Sequence, residues 1–292
     1  MCPMNPRLLR PLASGVHPEA AAWRTAVVAN GGTVSASTMN AVSKFCRAID
    51  AAGIRDRFYR LNLFCGTSDA SLNAVRTPLF RGQSRTGTQY GGTLDTNVNF
   101  VQGDYAETGA SGGLVGNGTT KYFNTGLAPN ALPSVATGHM AYWTEGGTVT
   151  STKIVIGTAD ATDRYRMDIR TSATGGNLSV WGKTTGAGNV VSGNTSQDSG
   201  AGLFAVTRTS STALTIYKNG STLGESPTAT GSVTPAAHGN AWFVFAYNNA
   251  GTASDFYQYR LRSYSIGDGM TAAQMLSYYT ALLAFNTAMG RS

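Results

Sequence analysis

Charge is scarce in this chain. Only 13% of its 292 residues are Asp, Glu, Lys or Arg, about half the usual share. Four are Glu: Glu19, Glu107, Glu145 and Glu225. Glycoside cleavage sets one carboxyl as proton donor against a second as nucleophile or base, so this shortage argues against it. His17, His139 and His238 lie far apart, and none has a metal-ligand neighbour in sequence, which argues against zinc. Asp160, Asp163 and Asp198 offer oxygens for calcium, but no Asp-x-Asp-x-Asp loop is present. Neither a metal nor a cofactor is expected. The three cysteines, Cys2, Cys46 and Cys65, form neither a zinc pattern nor a disulfide framework, so Cys46 and Cys65 are expected as buried free thiols. No apolar run approaches the ~20 residues of a spanning helix. The first ten residues lack a secretory apolar region. No membrane span is expected, and synthesis in a cytoplasm without general export is.

Small polar and β-branched residues are plentiful, with 36 Gly, 13 Tyr, 11 Phe and 4 Trp. That mixture suits many short strands, and the aromatics argue against disorder. The clearest segment is Leu214–Leu223. It alternates Leu214 and Ile216 against Thr215 and Tyr217, then turns at Asn219-Gly220, where a type I′ hairpin needs two positive φ values. Further strands are expected at 139–144, 153–157, 164–170, 177–181, 202–208, 241–247 and 255–264, with a hairpin over 113–126. In 164–170, Tyr165, Met167 and Ile169 face inward, and the charged residues form a solvated face with ion pairs. The fold class is mainly β: an antiparallel jelly-roll β-sandwich with an N-terminal helix pair and a C-terminal helix.

The helices carry their own punctuation. Pro18 suits a first turn, and Gly31-Gly32 end that helix. Ser35 or Ser37 caps a second, whose stripe Val42, Phe45, Cys46, Ile49 and Ala52 is too narrow to stand alone. Thr271-Ala-Ala-Gln274 is a capping box before an apolar helix that Gly290 ends. A short helix running into a strand is expected over 54–65. Three regions result: 1–65, a basic arm and helical docking segment; 66–103, an irregular connection; and 104–292, the sandwich with its C-terminal helix. The arm over 1–16, with Pro3, Pro6 and Pro11, is either a packing arm or a frayed end.

Residues 1–100 hold 11 Lys or Arg against 5 acids, and residues 101–292 hold 11 against 10. The net charge of +7 therefore sits almost wholly in the first third. Its basic residues are scattered, which favours an acidic protein surface over nucleic acid.

The C-terminal two-thirds resembles the LamG-like jelly roll of the concanavalin A-like lectin/glucanase superfamily. The hairpin Leu214–Leu223, the segment Gly116-Asn-Gly-Thr-Thr-Lys-Tyr-Phe123, and Tyr259–Tyr264 followed by Thr271-Ala-Ala-Gln-Met-Leu276 carry the likeness. Joined to a helix pair, and with the segments 30–38, 61–66 and 94–100, the assembly is similar to bacteriophage virion structural proteins. The resemblance implies a decoration or tail-accessory protein located in the virion, with other virion proteins as partners and host surface glycans as a further partner. Glycanases on this sandwich place carboxylates at alternate positions of one strand, and no Glu-x-Asp-x-x-Glu string occurs here.

The candidate residues follow. Arg7, Arg10, Arg24, Lys44, Arg47, Arg55 and Arg57 would dock the chain on the particle. Deleting residues 1–60 should then leave a folded sandwich. Among the aromatics, Tyr217, Trp181 and Tyr247 are the candidate glycan contacts, with Tyr217 the best exposed. Trp143, Trp242 and Tyr257 belong to the same set, though core packing is the plainer reading of each. Gly109-Ala-Ser-Gly-Gly113 matches a serine-nucleophile string but lacks the strand before it and the helix after it. No catalytic residue is assigned, so the chain is read as non-enzymatic. A lectin-like receptor-binding protein is the alternative function, and a glycoside hydrolase a weaker one. The narrow helix stripe and the apolar C-terminal helix both need covering, which points to a homo-oligomer.

Overall fold

A computed structural model describes residues 15–147, 149–161, 163–169, 178–184, 191–192, 200–210, 213–224 and 237–291. Arg7 and Arg10 lie outside the described residues, as does the side chain of Trp181.

Local chemistry sets the helices. His17 Nδ1 accepts the Glu19 N–H at 3.2 Å to open Pro18–Ala29 (α1), and Gly31 at φ 85° ends it. Ser35 Oγ accepts the Thr38 N–H at 3.1 Å to cap Ala36–Ala51 (α2). A short turn, Asn73–Arg76 (α3), follows. Thr271 and Gln274 form the expected capping box at the head of Ala272–Ala288 (α4).

Two sheets make the sandwich. The first runs in the order Ser221–Gly224 (β13), Leu214–Lys218 (β12), Gly202–Arg208 (β11), Gly138–Thr144 (β6), Arg260–Gly267 (β17), Gly113–Val115 (β4) and Tyr105–Ala106 (β3). Phe58–Asn62 (β1) pairs with the C-terminal half of β17. The second runs Val191–Ser192 (β10), Leu178–Thr184 (β9), Asp163–Ile169 (β8), Lys153–Ala159 (β7), Phe243–Val244 (β14), Tyr122–Asn124 (β5) and Thr96–Val98 (β2). Tyr247–Asn249 (β15) lies parallel beside β7 and antiparallel to Thr252–Ser254 (β16). Every other pairing is antiparallel among the described residues.

The helices form a third layer. Trp23, Phe45, Ile49, Phe58, Tyr278, Leu282 and Phe285 share one core with Ala141, Trp143, Leu203, Ala205 and Tyr217 of the first sheet. The opposite face of that sheet gives Tyr142, Phe204, Val206, Ile216 and Tyr264 to a second core, with Phe123, Tyr165, Met167 and Val244 across the sandwich. The first sheet is thus apolar on both faces, and every residue of β6 and β11 is buried.

This layering corrects several expectations. Tyr217 is not exposed; it is 5% accessible under the helices. The alternation rule assumes one wet face, and here a helix layer covers it. The expected strand over 241–247 is two short ones, because Phe245 at φ 72° reverses the chain. The expected hairpin over 113–126 is a crossover, since β4 belongs to the first sheet and β5 to the second. The helix pair and β1 pack into one body with the first sheet. Most of both apolar stripes is covered within one chain, with Leu276 and Leu283 of α4 left 51% and 39% accessible. The hairpin itself is as expected, with Asn219 and Gly220 at φ 51° and 76°. Cys46 and Cys65 are buried free thiols.

The connection 66–103 is anchored by a buried ion pair. Arg60 Nη2 donates to Asp95 Oδ1 at 2.7 Å, and neither side chain is accessible. The Tyr264 hydroxyl also donates to Asp95 Oδ1, at 2.7 Å, and Asn62 Nδ2 to Asp95 Oδ2, at 2.9 Å. Arg60 Nη1 reaches the carbonyls of Tyr90 and Gly92. At the far end Arg291, also buried, donates to the carbonyls of Leu63, Phe64 and Glu107.

Candidate functional site

Two surfaces collect the residues that could meet a partner. The first is the helix face. Arg55 pairs with Glu19 at 2.8 Å and lies 3.8 Å from the Phe80 ring centroid. Arg57 pairs with Asp268 at 2.9 Å. Arg57 through Asp268, and Arg55 through the Gly82 carbonyl and the Phe80 ring, tie the N-terminal segment to the body. Arg24, Lys44 and Arg47 are exposed. Arg24 and Arg47 line one cleft of about 330 Å³ between α1 and α2, with Val16, Met39, Asn40 and Ser43. Lys44 stands outside it.

The second surface is the outer face of the second sheet. In β8, Tyr165 and Met167 point into the sandwich, so Arg164, Arg166 and Asp168 share the outer side. Arg166 Nε lies 3.2 Å from Asp168 Oδ1, and its guanidinium is 5.6 Å from the Tyr247 ring centroid. The reversal at Phe245 is what lays Tyr247 alongside β7. Gly157 makes the room: a Cβ there would stand 2.8 Å from Tyr247 Cδ2 and 3.1 Å from Arg166 Cβ. Burial pushes the Tyr247 phenol up, with Arg166 and Arg164 pulling the other way.

These residues line a groove of about 440 Å³ with Asp160, Ala161, Asn249, Ala250 and Asp255. The Asp163 N–H donates to Asp160 Oδ1 at 2.6 Å, and Ser254 Oγ donates to Asp255 Oδ2 at 2.9 Å. Asn249 is exposed at the end of β15. The groove offers two guanidinium groups, two carboxylates, a carboxamide and the edge of a tyrosine. Such a set can hold a hydroxyl-rich ligand by paired donors and acceptors.

Of the three glycan candidates, the structure brings only Tyr247 to this groove, and at 6% accessibility it forms wall rather than platform. Trp143 stacks on Tyr279, and Trp242 and Tyr257 are wholly buried. The expectation of a solvated charged face on β8 is met only in part: Arg164 is half-buried, the Arg166 side chain is 15% accessible, and Asp163 and Asp168 are 1% accessible. Asn249 and Asp255 were not singled out in the sequence. The alternation of Arg164 and Arg166 with inward residues was the available signal for this face. Nothing local predicts the reversal that brings in 247–255.

Three of the four Glu are engaged in the structure: Glu19 with Arg55, Glu107 with the Thr38 hydroxyl and Glu145 with Arg260. Glu225 lies outside the described residues. Among the described residues, no three His, Cys, Asp or Glu side chains gather as a metal site.

No family model matches the chain, and no curated protein matches it in sequence. Solved structures resemble it distantly. Domain 4 of AbnA, a GH43 extracellular arabinanase from Geobacillus stearothermophilus in complex with arabinotriose, is 17% identical at a TM-score of 0.43, over 60% of this chain and 79% of that one. A Trypanosoma rangeli sialidase is 6% identical at 0.47, over 82% of this chain and 38% of that one. A structure concerning botulinum neurotoxin type C entry through two ganglioside molecules is 9% identical at 0.49, over 80% and 53%. None of these three reaches a TM-score of 0.5, and no property of this chain rests on them.

Proposed function

We propose that this protein is a non-enzymatic saccharide-binding module that holds its ligand in the groove on the outer face of the second sheet. The observation that carries this is the convergence of Arg164, Arg166, Tyr247, Asn249, Asp160 and Asp255 on one groove of about 440 Å³. The helices cover the first sheet, and no described helix lies over this face. Binding without cleavage is supported by the structural employment of Glu19, Glu107 and Glu145. A glycan array with the intact protein tests the reading. Glycans should be retained, and Asn249→Ala should weaken retention several-fold while Leu276→Ser on α4 leaves it unchanged. Retention of no glycan, or equal retention by Asn249→Ala, refutes it; release of new reducing ends from a retained glycan refutes the non-enzymatic part.

The setting we propose is a bacteriophage particle, on which the chain serves as a decoration or tail-accessory protein. The sequence resemblance supports this, and one feature of the helix face favours it: Arg24 and Arg47 flank a partly apolar cleft suited to an acidic protein segment. Arg24→Glu with Arg47→Glu should abolish co-sedimentation with particles while glycan retention persists. Unchanged co-sedimentation removes the docking role.

A further inference from the structure

Arg164 differs from Arg166, the other arginine of the groove. Arg55, Arg57, Arg60, Arg166 and Arg260 each have a carboxylate partner. Arg164 is half-buried in the groove, and its guanidinium has no hydrogen bond or ion pair with a described residue. Its neighbours do not supply one. Asp168 is held by Arg166, Asp160 Oδ1 takes the Asp163 N–H, and Asp255 Oδ2 takes the Ser254 hydroxyl.

A ligand seated in the groove strips water from this guanidinium. A neutral sugar returns hydrogen bonds but no charge, so the desolvation of the cation is left partly uncompensated. A carboxylate returns both, because its two oxygens match the guanidinium fork. We propose that the groove takes a saccharide bearing a carboxylate, such as a uronic acid unit, with Arg164 as the partner of that carboxylate. This rests on the groove reading above. Asp255 and Asn249 then take ring hydroxyls, the carboxylate accepting and the carboxamide both donating and accepting. Arg166 keeps its ion pair with Asp168 and stays as the wall over Tyr247.

The test is calorimetric titration of the intact protein, at low salt, with a panel of carboxylated oligosaccharides and their carboxyl-reduced, neutral counterparts. The carboxylated series should bind at least about tenfold tighter, as a charge-assisted bidentate pair implies. The advantage should shrink as salt is added, since part of it is Coulombic. Within the Arg164→Gln variant the carboxylated series should bind no tighter than its neutral counterparts, and Arg164→Lys should restore part of the difference. Equal binding of the two series overturns this proposal while the groove reading stands. An advantage that survives Arg164→Gln overturns the residue assignment. Binding of neither series overturns the groove reading itself. A sulfated series that binds as tightly as the carboxylated one overturns the carboxylate as the recognised group.

Discussion

Substituting Asp95 by Ala should be among the most damaging single changes in this chain. Asp95 is wholly buried and takes four hydrogen bonds: two from Arg60, at 3.0 and 2.7 Å, one from the Tyr264 hydroxyl at 2.7 Å and one from Asn62 at 2.9 Å. Removing it leaves the Arg60 guanidinium inaccessible with only neutral partners. Breaking a buried pair this way costs about 3–5 kcal/mol, because the remaining charge is uncompensated. For a domain of this size about 1 kcal/mol moves Tm by roughly 2–4 °C, so the midpoint should fall by about 6–20 °C. Urea unfolding followed by tryptophan fluorescence gives the free energy directly. The double change Arg60→Met with Asp95→Leu should recover much of the loss, since removing both charges removes the uncompensated one. A loss under about 1 kcal/mol for Asp95→Ala, the range of an exposed pair, would refute the claim that this pair anchors the connection.

Two further outcomes follow from buried groups on the first sheet. Burial pushes His139 down to about 4, while its Nδ1 lies 2.7 Å from the Asp268 carbonyl and its Nε2 3.0 Å from Ser265 Oγ. The unfolded chain takes up this proton near the ordinary value of about 6.5, so the unfolded state binds more protons between pH 6.5 and 4. Stability should fall through that window by about 3 kcal/mol from this group and then level. Urea midpoints at pH 7, 5.5 and 4.5 should show the fall, and His139→Gln should flatten it; a parallel fall in the variant contradicts the assignment. Tyr217→Ala should cost about 3 kcal/mol by leaving a hole under α4. It should leave glycan retention intact in the folded protein, and selective loss of retention would return Tyr217 to the site.

Much of this fold could be read before the structure. The caps at Ser35 and Thr271, the stops at Gly31 and Gly290, and the Asn219-Gly220 turn are local chemistry, and local chemistry is legible. The inward set Tyr165 and Met167 was legible because period 2 is. What could not be read is what covers what. Tyr217 alternates like a solvent-facing residue, yet it is buried in the core that the sheet shares with the helix layer, beside α4 from the far end of the chain. Asp95 sits in a stretch that looks irregular, and its partner Arg60 is invisible without the tertiary pairing of β1 with β17. The groove shares this property: Arg164 and Arg166 were visible as a charged face, but Tyr247 and Asn249 join them after a positive φ at Phe245, a residue that gives no warning of one, and Asp255 after a second turn at Ala250-Gly251.

The most direct test of the central claim is to map a retained glycan onto the intact protein by amide chemical-shift perturbation. The account predicts shifts concentrated at residues 160–166 and 247–255, with the α1 and α2 surface silent. Shifts centred on the helices or on the edge of the first sheet, with 160–166 and 247–255 unmoved, would contradict it.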